Sequence, residues 1–132
     1  MTLHCEQVPY PRLAEEFGTP LYVYSQSALT EAFENYQTAF AALSPLVCYA
    51  VKANGNLSII KHFASLGSGF DIVSGGELAR VLAAGGDAAK TIFSGVGKSE
   101  AEIEFALHAG VKCFNMEGIP EIDRIQKVAE RL

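Results

Sequence analysis

From residue 46 onward, runs of apolar residues recur along the chain, each followed by a stretch with helical spacing. The first run, Leu46-Val47-Cys48-Tyr49-Ala50-Val51, is unbroken and closes on Lys52-Ala53-Asn54. An uninterrupted run of this kind reads as a strand buried on both faces, the pattern of a parallel sheet. Later strand-like runs are Gly69-Phe70-Asp71-Ile72-Val73-Ser74, Thr91-Ile92-Phe93-Ser94-Gly95 and Lys112-Cys113-Phe114-Asn115-Met116. A spacing of roughly 20 residues suits a strand–helix unit. The helix starts are marked by Asn56 before Leu57, by Ser74 with Glu77, by Ser99 with Glu102, and by Pro120 in a first turn. The helix ends are marked by Gly67, Gly85 and Gly110, where a left-handed cap is needed before the next strand. Four such units in series predict a parallel sheet.

Ahead of these units lies a lead-in. It predicts a strand over Leu21-Tyr22-Val23-Tyr24 after Thr19-Pro20, then a helix from about Gln26 to Leu43 with Leu29, Phe33, Tyr36 and Phe40 on one face. Two α/β architectures accommodate the pattern, a small doubly wound sheet and part of a (β/α)8 barrel. Uniform short units without a Gly-x-Gly-x-x-Gly turn after the first strand favour the barrel. A whole barrel needs ~250 residues, so four units make about half of one.

Composition narrows the partners. With 49% hydrophobic and 19% charged residues the chain can build a core, and its net charge of −5, with both signs intermixed, gives no footprint for nucleic acid or an anionic membrane. Small polar molecules are the expected partners. Cys5, Cys48 and Cys113 are odd in number and show no CxxC spacing, and His4, His62 and His108 lack metal-ligand spacing, so neither a disulfide framework nor a metal site is expected. No apolar run approaches a membrane span and no basic-then-apolar leader opens the sequence; a soluble, cytoplasmic protein is expected.

Candidate chemistry gathers at the strand ends. An ammonium at the mouth of a buried strand is costly unless something uses it, and partial desolvation would favour the neutral, nucleophilic amine of Lys52. The alternative is a lysine that snorkels into water. Asp71 interrupts an otherwise apolar strand and therefore needs a cationic or hydrogen-bonding partner, such as Lys52 or a ligand, unless it is a solvated edge carboxylate. Ser74-Gly75-Gly76-Glu77 turns into the next helix at the same end of the sheet, and a capping box accounts for Ser74 and Glu77 without catalysis. Ser94-Gly95-Val96-Gly97-Lys98-Ser99 hints at a phosphate loop, but Ile92 stands where that motif requires glycine. Lys98 is then a ligand contact or, more simply, a solvated lysine.

In this order, Tyr49-Ala50-Val51-Lys52-Ala53-Asn54, Gly69-Phe70-Asp71-Ile72-Val73-Ser74-Gly75-Gly76-Glu77-Leu78, Phe93-Ser94-Gly95-Val96-Gly97-Lys98 and Phe114-Asn115-Met116-Glu117 resemble the fold-type III, alanine-racemase-like pyridoxal phosphate decarboxylases. The Ser-Gly-Gly-Glu-Leu and Gly-x-Gly-Lys elements resemble the diaminopimelate branch of that group more than its ornithine and arginine branches. Met116-Glu117-Gly118 departs from the family's usual Val-Glu-Ser.

The resemblance implies the N-terminal half of a pyridoxal-phosphate-binding (β/α)8 barrel. Residues 1–25 would be a lead-in whose strand belongs to the C-terminal domain of the parent enzyme, and residues 26–132 would be the first half of the barrel. It implies pyridoxal 5'-phosphate as cofactor, covalently held by Lys52, with Asp71, Ala50, Ser74 and Glu77 around it. The implied reaction takes meso-2,6-diaminopimelate to L-lysine and carbon dioxide, with other amino-acid decarboxylation, or a non-catalytic structural or cofactor-binding half barrel, as the alternatives. The phosphate cradle, the partner of the pyridine nitrogen and the substrate pocket would lie elsewhere in the parent, so this piece alone is expected to be inactive. A homodimer is implied for the parent, and the open strand edges of the piece are expected to associate.

Overall fold

The computed structural model describes residues 2–132 and divides into two compact units, 1–41 and 42–132. In the first unit, β1 (His4–Cys5) and β2 (Val8–Pro9) pair antiparallel and lead directly into α1 (Tyr10–Phe17), with Pro11 in its first turn. Neither the hairpin nor α1 belongs to the periodic pattern read from the sequence. The strand expected over Leu21–Tyr24 is not formed: the segment has no ladder partner among the described residues, and a strand exists only through its neighbour's hydrogen bonds. The expected lead-in helix is present as α2 (Gln26–Ala39), capped by the Ser25 hydroxyl, which accepts from Ala28 N, and followed by a short 3₁₀ turn at Ala41–Leu43. Glu6 braces this cap, accepting from the Ser25 and Ser27 hydroxyls and from Ser27 N; these bonds hold its carboxyl below the usual range.

The second unit contains the four strand–helix pairs. Strands β3 (Cys48–Ala50), β4 (Gly69–Ile72), β5 (Thr91–Phe93) and β6 (Cys113–Phe114) form one parallel sheet in sequence order. Helices α3 (Leu57–Ser65), α4 (Gly75–Ala83), α5 (Glu100–Ala109) and α6 (Ile119–Ala129) follow them in turn. A strand order without reversal is what a barrel wall requires, whereas a doubly wound sheet reverses at its switch point.

Local chemistry explains these boundaries. Asn56 and Ser74 cap α3 and α4 by accepting from Ser58 N and Glu77 N, and Ser99 forms a complete capping box with Glu102. Gly67, Gly85 and Gly110 all take positive φ where the helices hand over to the next strand. Gly69 is required for another reason: a Cβ there would stand 2.5 Å from Lys90 O and 2.6 Å from Cys48 Sγ.

The core lies on the helix-covered face. Phe70 and Ile72 of β4 and Phe93 of β5 are fully buried against Ile60, Leu78, Val81, Ile103 and Val128. Tyr49 stacks on Phe63 of α3 with ring centroids 4.3 Å apart. Register places Ala50, Asp71, Ile92 and Cys113 side by side on the opposite face. The expectation that the first strand is buried on both faces is corrected here. Cys48, Tyr49 and Ala50 are only half-buried, because β3 is an edge strand with helices packed on one side of it.

Candidate functional site

Lys52 leaves the sheet immediately after β3, inside a single 3₁₀ turn spanning Val51–Ala53. Both sides of that turn are anchored. Val51 is 1% exposed, Asn54 N donates to Val51 O, and Tyr49 Oη donates to Asn54 O at 3.0 Å. The Arg80 guanidinium adds a bond to Gly55 O. The Lys52 side chain, in contrast, is exposed and has no hydrogen bond or ion pair among the described residues. The expected partial desolvation is therefore not present: beyond the strand end, no neighbouring side chain covers the amine. A fixed backbone carrying a free amine is nonetheless the arrangement a covalent nucleophile requires.

Asp71 sits one strand over, paired in register with Ala50 and, on its other side, with Ile92. Its partner is not Lys52. The Ser94 hydroxyl donates to Asp71 Oδ1 in a short hydrogen bond, and Asn115 Nδ2 donates to Ser94 Oγ at 3.0 Å. The Asp71 charge is felt across the face: the Cys48 thiol is pushed up, first by burial and next by Asp71. Ala50, two residues before Lys52, is the register partner of Asp71 on β3.

Ser74 and Glu77 are committed to backbone. Ser74 Oγ accepts from Glu77 N, but the Glu77 carboxylate reaches past the cap to accept from Val73 N at 2.8 Å. The pair therefore forms half of the expected capping box and ties the end of β4 to the start of α4. Glu102 continues this bracing, accepting from Gly75 N at 2.9 Å and from Ser99 N and Oγ. Those donors hold its carboxyl below the usual range, the Gly75 N–H most strongly.

Lys98 overturns its expectation most completely. It is 2% exposed and not a solvated lysine. Nζ donates to Gly95 O at 2.7 Å, to Asn115 O at 2.8 Å and to Glu121 Oε1 at 3.2 Å, and it lies 5.6 Å from the Phe93 ring centroid. Glu121 Oε2 accepts from Glu117 N, and that N–H, ahead of Lys98, holds the Glu121 carboxyl low. Glu117 in turn accepts from Gly95 N at 3.1 Å. The unusual Met116-Glu117-Gly118 segment is thus built into the network that joins the loops after β5 and β6.

Sequence reading did not single out Ser94, Asn115 or Glu121. For the first two, a signal was available. Ser94 follows Ile92 by two residues and Asn115 follows Cys113 by two, so both fall on the Asp71 face once the register is known.

An anchored lysine turn follows the first strand of the parallel sheet, with a carboxylate on the next strand, an arrangement that suits an α/β domain bonding a ligand through a lysine amine. Residues 26–132 match the family model described as the pyridoxal binding domain of pyridoxal-dependent decarboxylases, and the chain belongs to that family. It is 95% identical over its whole length to diaminopimelate decarboxylase of Neisseria meningitidis serogroup B, covering 32% of that protein. The Vibrio cholerae diaminopimelate decarboxylase is 55% identical over 98% of the chain, which covers 31% of it. Among solved structures, diaminopimelate decarboxylase from M. jannaschii in co-complex with L-lysine superposes with a TM-score of 0.95 at 34% identity. That match covers 98% of this chain and 31% of the other. The Helicobacter pylori enzyme complexed with L-lysine superposes with a TM-score of 0.89 at 43% identity, over 92% of this chain and 31% of that one. The chain thus spans about a third of the length of its curated relatives. No helix among the described residues is long and apolar enough to cross a membrane.

Proposed function

We propose that this chain supplies the cofactor-bearing lysine and the first half of the barrel of a pyridoxal 5'-phosphate-dependent decarboxylase acting on meso-2,6-diaminopimelate, with L-lysine and carbon dioxide as products. The observation that carries this reading is the free Lys52 amine on an anchored turn, two residues past the register partner of Asp71, in a chain 95% identical throughout to a diaminopimelate decarboxylase. The residues present fit the cofactor: an exposed primary amine for its aldehyde and, on the next strand, a carboxylate with one uncommitted oxygen.

When bound, the cofactor ring supplies an electron sink that lets a carboxylate leave the substrate α-carbon as carbon dioxide. Lys52 holds the cofactor by its amine and can carry a proton at Nζ. Asp71 orients the charged groups on its face of the sheet. Ser74 and Glu77 keep the β4–α4 turn in place beneath them. The whole reading places residues 1–25 against a C-terminal domain of the parent, puts the enzyme in the cytoplasm, and makes it a homodimer. The unpaired edges of β3 and β6 make self-association the expected behaviour of the isolated 132-residue piece.

The test is borohydride reduction of the full-length, cofactor-loaded protein, followed by peptide mass spectrometry. Cofactor mass on Lys52, lost in Lys52→Ala, is the expected result; cofactor fixed on another lysine would sink the assignment. Carbon dioxide release from meso-diaminopimelate compared with ornithine and arginine then decides the substrate.

A further inference from the structure

Asp71 is held not by Lys52 but by a one-way chain of donors just past the ends of β5 and β6. Asn115 Nδ2 carries only protons to give, and it gives one to Ser94 Oγ at 3.0 Å. With that lone pair occupied, the single Ser94 proton goes to Asp71 Oδ1. Asp71 Oδ2 carries no hydrogen bond among the described residues. Each link is anchored by backbone: Ser94 N donates to Ile72 O at 2.7 Å, and Asn115 N donates to Phe93 O at 2.9 Å. The carbonyl of Asn115 is in turn gripped by the buried Lys98 ammonium at 2.8 Å.

We infer that Ser94 and Asn115 are positioning residues for Asp71: they tie down Oδ1 so that Oδ2 is the oxygen presented to the cofactor on Lys52. This inference rests on the pyridoxal reading above. The physical basis is directional. A carboxylate with no fixed donor samples rotamers, whereas a hydrogen bond to a charged group, itself oriented by a second donor, selects one. Neither residue needs to touch the cofactor. Other titratable groups around Asp71 are few: Cys48 of β3, whose thiol feels the Asp71 carboxylate, with Cys113 of β6 and Lys112 just before it acting on that same thiol, and Lys52 beyond the end of β3. Strand β5 contributes Ile92 to this face, and Ser94 follows just past its end.

The experiment is a pH titration of the visible absorbance of the Lys52-linked cofactor in the full-length protein, together with the cofactor dissociation constant. Ser94→Ala removes the proton donor with almost no change in volume. Asn115→Ala acts at an exposed position and empties no packed site. An anionic neighbour held in place favours the protonated form of the chromophore, so both variants should lower the titration midpoint. They should also weaken cofactor retention about tenfold, as expected for a lost hydrogen bond to a charged group. Ser94→Thr, which keeps the hydroxyl, should restore both values. A wild-type midpoint in Ser94→Ala and Asn115→Ala, with only a lowered melting temperature, would show a merely structural chain and overturn the inference. Absence of any Lys52-dependent absorbance in the unmutated protein is a separate outcome, which overturns the pyridoxal reading and this inference with it.

Discussion

Two lysines follow two strands of the same sheet and meet opposite fates. Lys52, after β3, has an anchored backbone and a bare amine; Lys98, after β5, has its amine enclosed by Gly95 O, Asn115 O and Glu121. The difference comes from what surrounds each turn. Around Lys98, positive-φ Gly95 and Gly97 curl the loop back over the ammonium, and α6 brings a carboxylate to it. Around Lys52, the bonds from Tyr49 and Arg80 fix the turn at carbonyls further along, and nothing reaches Nζ. A fully partnered ammonium cannot act as a nucleophile, because its protons and its geometry are already committed. Lys98 therefore works as a pin between loops, while the Lys52 amine stays exposed and uncommitted among the described residues.

The largest effect that would break this contrast is on stability. Lys98→Met fills the same space but leaves the buried Glu121 carboxylate without its ammonium partner, and should cost roughly 3–5 kcal/mol in urea unfolding. The double substitution with Glu121→Gln should recover part of that loss. A Lys98→Met cost below about 1 kcal/mol would place Lys98 among ordinary surface lysines. An intermediate effect sharpens the contrast from the reactivity side. Limited acylation of the cofactor-free protein should modify Lys52 at least about tenfold faster than Lys98, since Lys98 reacts only after its loops open locally. Equal labelling in peptide mass spectra would contradict the enclosure.

The smallest effect concerns pH. The carboxyls of Glu121 and Glu102 sit below the usual range in the folded chain, so each stabilises the fold when ionised. That contribution is fully present above the ordinary glutamate value of about 4.3 and is lost as pH falls through the lower folded values. Thermal melts should therefore lose stability on the acid side of about pH 4.3. Glu102→Gln should flatten that limb, because the bond from Gly75 N then no longer depends on ionisation. An unchanged acid limb in Glu102→Gln would show that Glu102 contributes nothing there.

Much of the second unit was legible in advance because its signals are local. Asn56, Ser74 and Ser99 cap helices, and Gly67, Gly85 and Gly110 end them, through atoms a few residues away. Runs such as Gly69-Phe70-Asp71-Ile72 carry their strand character in their own side chains. The first unit was less legible. Its hairpin is two residues per strand, too short to show a period, and Leu21–Tyr24 looks like a strand but finds no ladder partner. Met116-Glu117-Gly118 departs from the family pattern, yet Glu117 closes the loop network through Gly95 N.

By itself the sequence determined the repeating strand–helix units, their caps, and the placement of Lys52 and Asp71 at one end of one sheet, since periodicity and capping act over a few residues. Only the tertiary structure decided which charges are spent and which are free. Apart from Gly95 O, the partners of Asp71 and Lys98 (Ser94, Asn115 and Glu121) arrive from 17 to 23 residues away, at distances that depend on register and loop path. Ser94 takes the place beside Asp71 that Lys52 was expected to fill, and Glu121 and Asn115 withdraw Lys98 from solvent. Lys52 is available because the folded chain gives its amine no other partner.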